Sequence, residues 1–190
     1  NIFREITGFE MWGAQRVWAR RLVRGKSFAV IAPTGSGKTT FGIVASIYTA
    51  INGGKTLIVA PTSTLAYQLF QRAEAYSKGK VRIVAYNSLL TKKEKEEAIN
   101  RVFNNDYDVL IITNSFLSKQ MDLLARNRYK LIFVDDVDSV LKASSKNIDR
   151  LLVLLGIPKE AIDIALEAVK ISKDTMQALR NGNEDYLAEL

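Results

Sequence analysis

Cysteine and histidine are both absent from the 190 residues. Without Cys there are no disulfides and no thiolate metal sites. Without His there is no Ser-His or Cys-His triad, no imidazole-bound zinc and no imidazole acid/base chemistry. Any chemistry must run on carboxylates, Lys, Arg, hydroxyls and backbone groups. Proline is scarce, with 3 residues. No apolar run reaches the roughly 18 residues of a membrane span, so no membrane segment is expected. Acidic residues are short in one half only. Residues 1–95 carry 15 Lys+Arg against 4 Asp+Glu, and residues 96–190 carry 12 against 16. A basic half suits a polyanionic partner, and it equally suits a solvated surface. The chain begins at Asn1 without a signal pattern. A cut from a longer, cytoplasmic protein is expected.

What is present is ordinary globular composition, 47% apolar and 25% charged, enough to bury about 70% of the unfolded surface. Five short Val/Ile-rich runs recur: Ser27–Ala32, Thr56–Ala60, Val81–Ala85, Val109–Thr113 and Leu131–Asp135. They are nearly continuous rather than alternating, as in strands buried on both faces of a parallel sheet. Between them lie helix-length segments: Thr39–Ile51, Leu65–Ser77, Lys92–Phe103 and Phe116–Ala125. Alternating strand and helix predicts an α/β domain with a mostly parallel five-stranded sheet and helices on both faces. Thr91 and Glu94 form a capping-box pattern, and Pro158 fits a first helical position. After about Asn147 no strand is predicted. The expected division is an α/β lobe over 1–146 and a helical appendage over 147–190.

Two motifs carry chemistry. Ala32-Pro-Thr-Gly-Ser-Gly-Lys-Thr39 follows the first run and precedes a helix, the context a phosphate-binding loop requires. Gly35 and Gly37 let backbone N–H groups turn toward phosphate oxygens, and the helix start adds its positive end. Lys38 reaches terminal phosphates and the Thr39 hydroxyl holds Mg²⁺. Thr34, Ser36 and Thr40 complete the loop. The second motif is Asp135-Asp-Val-Asp138, at the end of the fifth run. Parallel sheets gather ligands at strand carboxyl ends. Asp135 is therefore expected at the metal, and Asp136 at the attacking water as orienter or base.

With Pro61-Thr-Ser-Thr-Leu65 and Thr113-Asn-Ser-Phe116, these motifs resemble the first RecA-like lobe of superfamily 2 helicases. The segment Val134-Asp-Asp-Val-Asp-Ser-Val-Leu-Lys-Ala-Ser145, with Asn147-Ile-Asp149 and Gly156-Ile-Pro158, is similar to the helicase-like portion of the reverse gyrase family. The resemblance implies a RecA-like fold, ATP/ADP and Mg²⁺ as ligands, and DNA as partner. It implies a fused topoisomerase that introduces positive supercoils. It makes Gln15 the adenine reader, with Phe9 or Trp12 stacking on the ring; core packing is the other reading of the two aromatics. It makes Pro61, Thr62, Ser63, Thr113, Asn114 and Ser115 backbone contacts to DNA, and N-capping is compatible with that. Arg16, Arg20 and Arg24 share a helix face, either solvated or toward DNA phosphates. Two features depart from most helicases: Asp136 stands where Glu is usual, and no Ser-Ala-Thr segment follows the acidic box. A second lobe with its arginine finger is also missing, so the chain alone is expected to bind nucleotide with little turnover. Two alternatives stay open: a helicase lobe without a topoisomerase, and a nucleotide-gated clamp without turnover.

Overall fold

A computed structural model describes residues 2–144 and 146–181. The elements are α1 (Ile2–Thr7), α2 (Gly13–Val23), α3 (Lys38–Ile51), β1 (Thr56–Ala60), α4 (Ser63–Ser77), β2 (Ile83–Tyr86), α5 (Lys92–Phe103), β3 (Val109–Thr113), α6 (Asn114–Lys119), α7 (Met121–Leu124), β4 (Leu131–Val134), α8 (Val137–Ala143), α9 (Lys146–Leu154) and α10 (Lys159–Asn181). The chain divides into two compact units, Asn1–Leu155 and Gly156–Leu190. The described part of the second is mainly α10. No described helix is long and apolar enough to cross a membrane.

The sheet is parallel, in the order β2-β3-β1-β4. Every residue of β1 and β3 is buried, because helices cover both faces. Leu57, Val59, Leu110 and Ile112 pack with Val102, Phe116, Leu117 and Leu151 on one side. Ile58, Ala60, Val109 and Ile111 pack with Ile43, Ile47, Ala66 and Leu69 on the other. Adjacent residues of one strand therefore serve opposite cores, which is why the runs are apolar throughout.

The α/β class stands, but the sheet has four strands among the described residues, not five. Ser27–Ala32 forms no strand among the described residues. It packs as a half-buried chain: Phe28, Val30 and Ala32 meet Phe3, Trp18 and Phe41, while Ile31 is 99% exposed. A strand requires a neighbour to bond with. β1 pairs with β3 and β4, and the described residues show no ladder between Ser27–Ala32 and any strand, the outer edge of β4 included. A smaller difference is a two-helix split of the predicted 116–125 segment at Gln120.

Register places the site. Thr56 is level with Val109 and Leu131, and Ile83 with Val109. The strands consequently end together, and the segments after β1, β2, β3 and β4 emerge on one edge. α3 also begins at this edge.

Candidate functional site

The loop from Pro33 to Gly37 turns between the extended segment and α3. Gly35 (φ 80°) and Gly37 (φ 77°) take left-handed conformations that residues with a Cβ resist. Lys38, the first residue of α3, donates from Nζ to the carbonyls of Ala32 at 2.5 Å and Pro33 at 2.9 Å. Thr39 Oγ1 donates to Asp135 Oδ2 at 3.1 Å and Oδ1 at 3.2 Å, across 96 residues of sequence. The Asp135 N–H donates to Val59 O at 3.0 Å. That bond extends the β1–β4 pairing by one residue and sets the carboxylate over the loop.

Burial pushes the Asp135 carboxyl above the ordinary range. The Thr39 bond and the charges of Lys38 and Arg72 oppose that shift, and Asp136 adds to it. Asp136 goes the other way. Its carboxylate accepts from the Ser139 hydroxyl at 2.6 Å and the Ser139 N–H at 3.3 Å, which lowers its pKa. Asp136 thereby caps α8 from a left-handed conformation (φ 59°), tolerated better by Asp and Asn than by most residues. A hydroxyl and a carboxylate facing each other fit a hard cation such as Mg²⁺, which is commonly held by one or two carboxylates plus substrate phosphates. No described cluster offers three acidic ligands, so the remaining ligands would come from the nucleotide and water.

Beside the loop lies a cleft of about 370 Å³. Phe9, Trp12, Gln15, Gly35, Ser36, Gly37 and Thr40 line it, as do Phe3, Thr7, Glu10 and Tyr76. Gln15 is 5% exposed. Its Nε2 donates to Gly37 O at 3.4 Å and its Oε1 accepts from Trp12 N at 3.3 Å. A Cβ on Gly37 would stand 2.7 Å from Gln15 Nε2. Trp12 Nε1 donates to Ser36 O at 3.1 Å, and its ring meets Trp18 edge-on at 6.0 Å. Trp12 therefore packs partly with the core aromatics, whereas Phe9 stays 75% exposed at the cleft. Thr34 sits exposed in the loop's first turn.

The strand-end segments gather on the same edge. Thr62 caps α4 by accepting from Leu65 N at 3.2 Å, and Thr113 caps α6 by accepting from Phe116 N at 3.4 Å. Pro61 is half-buried and Ser115 exposed. Asn114 is buried with its Oδ1 lacking a partner among the described residues. The pair Asn87-Ser88 joins this edge, although it belongs to none of the motifs read from the sequence. Ser63 Oγ accepts from Ser88 N at 3.1 Å and bonds its hydroxyl at 2.7 Å. Asn87 is buried, and its Nδ2 has no partner among the described residues. The position directly after an apolar run was the available signal. Tyr76 and Arg72, both on α4, had no local signal, because only the packing of α4 on α3 brings them near the loop.

Comparison with known proteins extends the geometry. The sequence profile of the DEAD/DEAH box helicase family matches residues 13–167. The reverse gyrase of Pyrobaculum aerophilum is 48% identical over 181 residues, 94% of this chain and 15% of that protein. The reverse gyrase of Pyrococcus horikoshii is 47% identical over 184 residues, 95% of this chain and 11% of that protein. The chain thus spans a small part of these relatives' length. A solved structure, a hypothetical ATP-dependent RNA helicase from Sulfolobus tokodaii, matches with a TM-score of 0.63 at 21% identity. The match covers 82% of this chain and 45% of that one, and it supports the RecA-like fold. The chain belongs to the DEAD/DEAH box helicase family, and it matches the helicase-like portion of reverse gyrases.

Proposed function

We propose that this lobe binds ATP or ADP with Mg²⁺ and hydrolyses ATP when a second lobe closes over the site. The observation that carries the reading is the Thr39–Asp135 pair: 96 residues of chain are spanned to set a hydroxyl and a carboxylate together beside a phosphate loop. Gly35–Thr39 receive the phosphates, with Lys38 at the terminal ones. Thr39 and Asp135 hold the cation, whose positive charge offsets that of the phosphate oxygens. Gln15, with Phe9 or Trp12, receives the adenine. Asp136 has a lowered pKa, which makes it a poor proton store, so its role is to orient the attacking water by accepting its hydrogen bond. Pro61–Ser63 and Thr113–Ser115 contact a DNA backbone without base readout. By analogy with its reverse gyrase relatives, the lobe serves a longer cytoplasmic protein. There, nucleotide-driven closure handles strands for a topoisomerase domain and positive supercoiling.

The test is calorimetric titration of the 190-residue chain with ADP and Mg²⁺, beside Lys38→Ala. The variant should bind about 10–100-fold more weakly, the scale of a lost charge-assisted hydrogen bond. Equal affinity would sink the phosphate-loop assignment. In a protein carrying both lobes, Asp136→Asn should leave binding intact and lower turnover by about 10²–10⁴. Asn keeps the left-handed backbone, so unchanged turnover would remove Asp136 from the mechanism.

A further inference from the structure

Arg72 belongs to none of the motifs. It stands about two and a half turns into α4, and side chains on a helix lean back toward its N-terminus, here toward the ligand edge of the sheet. Its Nη2 donates to Thr40 Oγ1 at 2.7 Å. Thr40 is in the first turn of α3 and lines the cleft beside the phosphate loop. The charge of Arg72 also reaches Asp135, where it and Lys38 are the two cations favouring the ionised carboxylate. Two separate observations thus bring the guanidinium to the phosphate side of the site. Tyr76, one turn further along α4, lines the cleft as well.

The partner Arg72 has is a poor match for it. A guanidinium carries five donors arranged for planar oxyanions, and its bond here goes to a neutral hydroxyl. No ion pair of Arg72 occurs among the described residues. Residues 11–73 contain no Asp or Glu at all, so the first two turns of α4 and the whole phosphate loop supply no counter-charge. Of the carboxylates around the site, Asp135 is held by the Thr39 hydroxyl and Glu10 pairs with Arg4, so the oxyanion that fits the remaining donors of Arg72 is a phosphate of the ligand.

We propose that Arg72 is a phosphate-contacting residue of the nucleotide site, passing from the Thr40 hydroxyl to a phosphate oxygen of the bound nucleotide. This rests on the nucleotide reading given above. The contact ties α4, which starts at Ser63 with Thr62 as its cap, directly to the nucleotide. Phosphate state is thereby felt by the helix that begins at the proposed DNA contact.

The test compares ADP with adenosine, both in Mg²⁺, on the 190-residue chain and its Arg72→Gln, Arg72→Lys and Lys38→Ala variants. ADP is followed by calorimetry and adenosine by ligand-observed NMR. Arg72→Gln should weaken ADP about tenfold or more and leave adenosine unchanged, since adenosine has no phosphate. Arg72→Lys, which keeps the charge, should recover most of the loss. Equal loss of ADP and adenosine in Arg72→Gln would mean the side chain only shapes the cleft, which overturns the proposal. ADP affinity unchanged in Arg72→Gln but lost in Lys38→Ala would overturn it too, leaving the nucleotide site intact. If the unsubstituted chain binds no ADP, the nucleotide reading fails and the Arg72 contact falls with it.

Discussion

Gly42, in the second turn of α3, shows how one residue seats a strand. A Cβ there would lie 2.3 Å from the Phe133 ring on β4. Absence of that atom lets the ring lie on the helix. Gly→Ala inside a helix normally stabilises by about 1 kcal/mol. Here the overpacking cost, about 1–3 kcal/mol, should win, because a ring cannot compress. Gly42→Ala should therefore lower the urea midpoint, and adding Phe133→Leu should restore part of it. A raised midpoint in the single variant would show that β4 has room to shift. Phe133 precedes Asp135 by two residues, so the contact also helps fix the height of the carboxylate above the loop. The Gly was visible in the sequence; its ring neighbour, 91 residues on, was not.

At the scale of elements, β2 and β3 are clasped at the end opposite the site. Arg82 pairs with Asp108 at 2.7 Å and with Asp106 at 2.7 Å. The Arg82 N–H donates to Asp108 Oδ2 at 2.8 Å. These bonds hold the Asp108 carboxyl below its ordinary value. A depressed carboxyl contributes stability that is present above the unfolded value and lost as pH falls through the folded one. Asp108→Asn should therefore cost about 1 kcal/mol at neutral pH, given partial exposure. The gap should begin to shrink below about pH 4, where the unfolded carboxyl protonates, and vanish only below the lowered folded value. Urea unfolding of both proteins at the two pH values reads this directly, and a gap that persists in acid would rule the ion pair out as its source. Among elements, the most local were the most legible. The Thr91–Glu94 capping box forms as its spacing requires, and Lys92–Phe103 is the helix expected. Ser27–Ala32 misled because its side chains read like a strand's, while pairing depends on what lies alongside.

For the whole molecule, charge is the property that reaches furthest. The formal net charge is +7, and the acid-free stretch 11–73 includes the phosphate loop and Pro61–Ser63. If the strand-end segments hold a nucleic-acid backbone, affinity for a single-stranded oligonucleotide should fall as salt rises. The slope of log K on log salt should be about −0.7 per phosphate neutralised, and near −2 for three contacts. Oligonucleotides of different sequence should bind alike, since hydroxyls and N–H groups at helix starts read no bases. Fluorescence anisotropy between about 50 and 200 mM salt measures both. A strong sequence preference would dismiss these segments as backbone contacts, and a flat salt response would show that no Lys or Arg neutralises a phosphate beside them.

Readable from residue order alone were the α/β class, the Thr91–Glu94 cap, the family, and the Gly-Ser-Gly-Lys-Thr and Asp-Asp-Val-Asp motifs. All of these rest on periodicity, turn chemistry and motif spacing, which act over a few residues. Packing between distant segments sets Thr39 against Asp135, Arg72 on Thr40, Ser63 on Ser88 and the Phe133 ring over a bare Gly42. It likewise leaves Ser27–Ala32 without a ladder partner among the described residues. Each of these depends on which distant segment packs alongside, and the parallel register brings distant segments to one edge without leaving a mark on either.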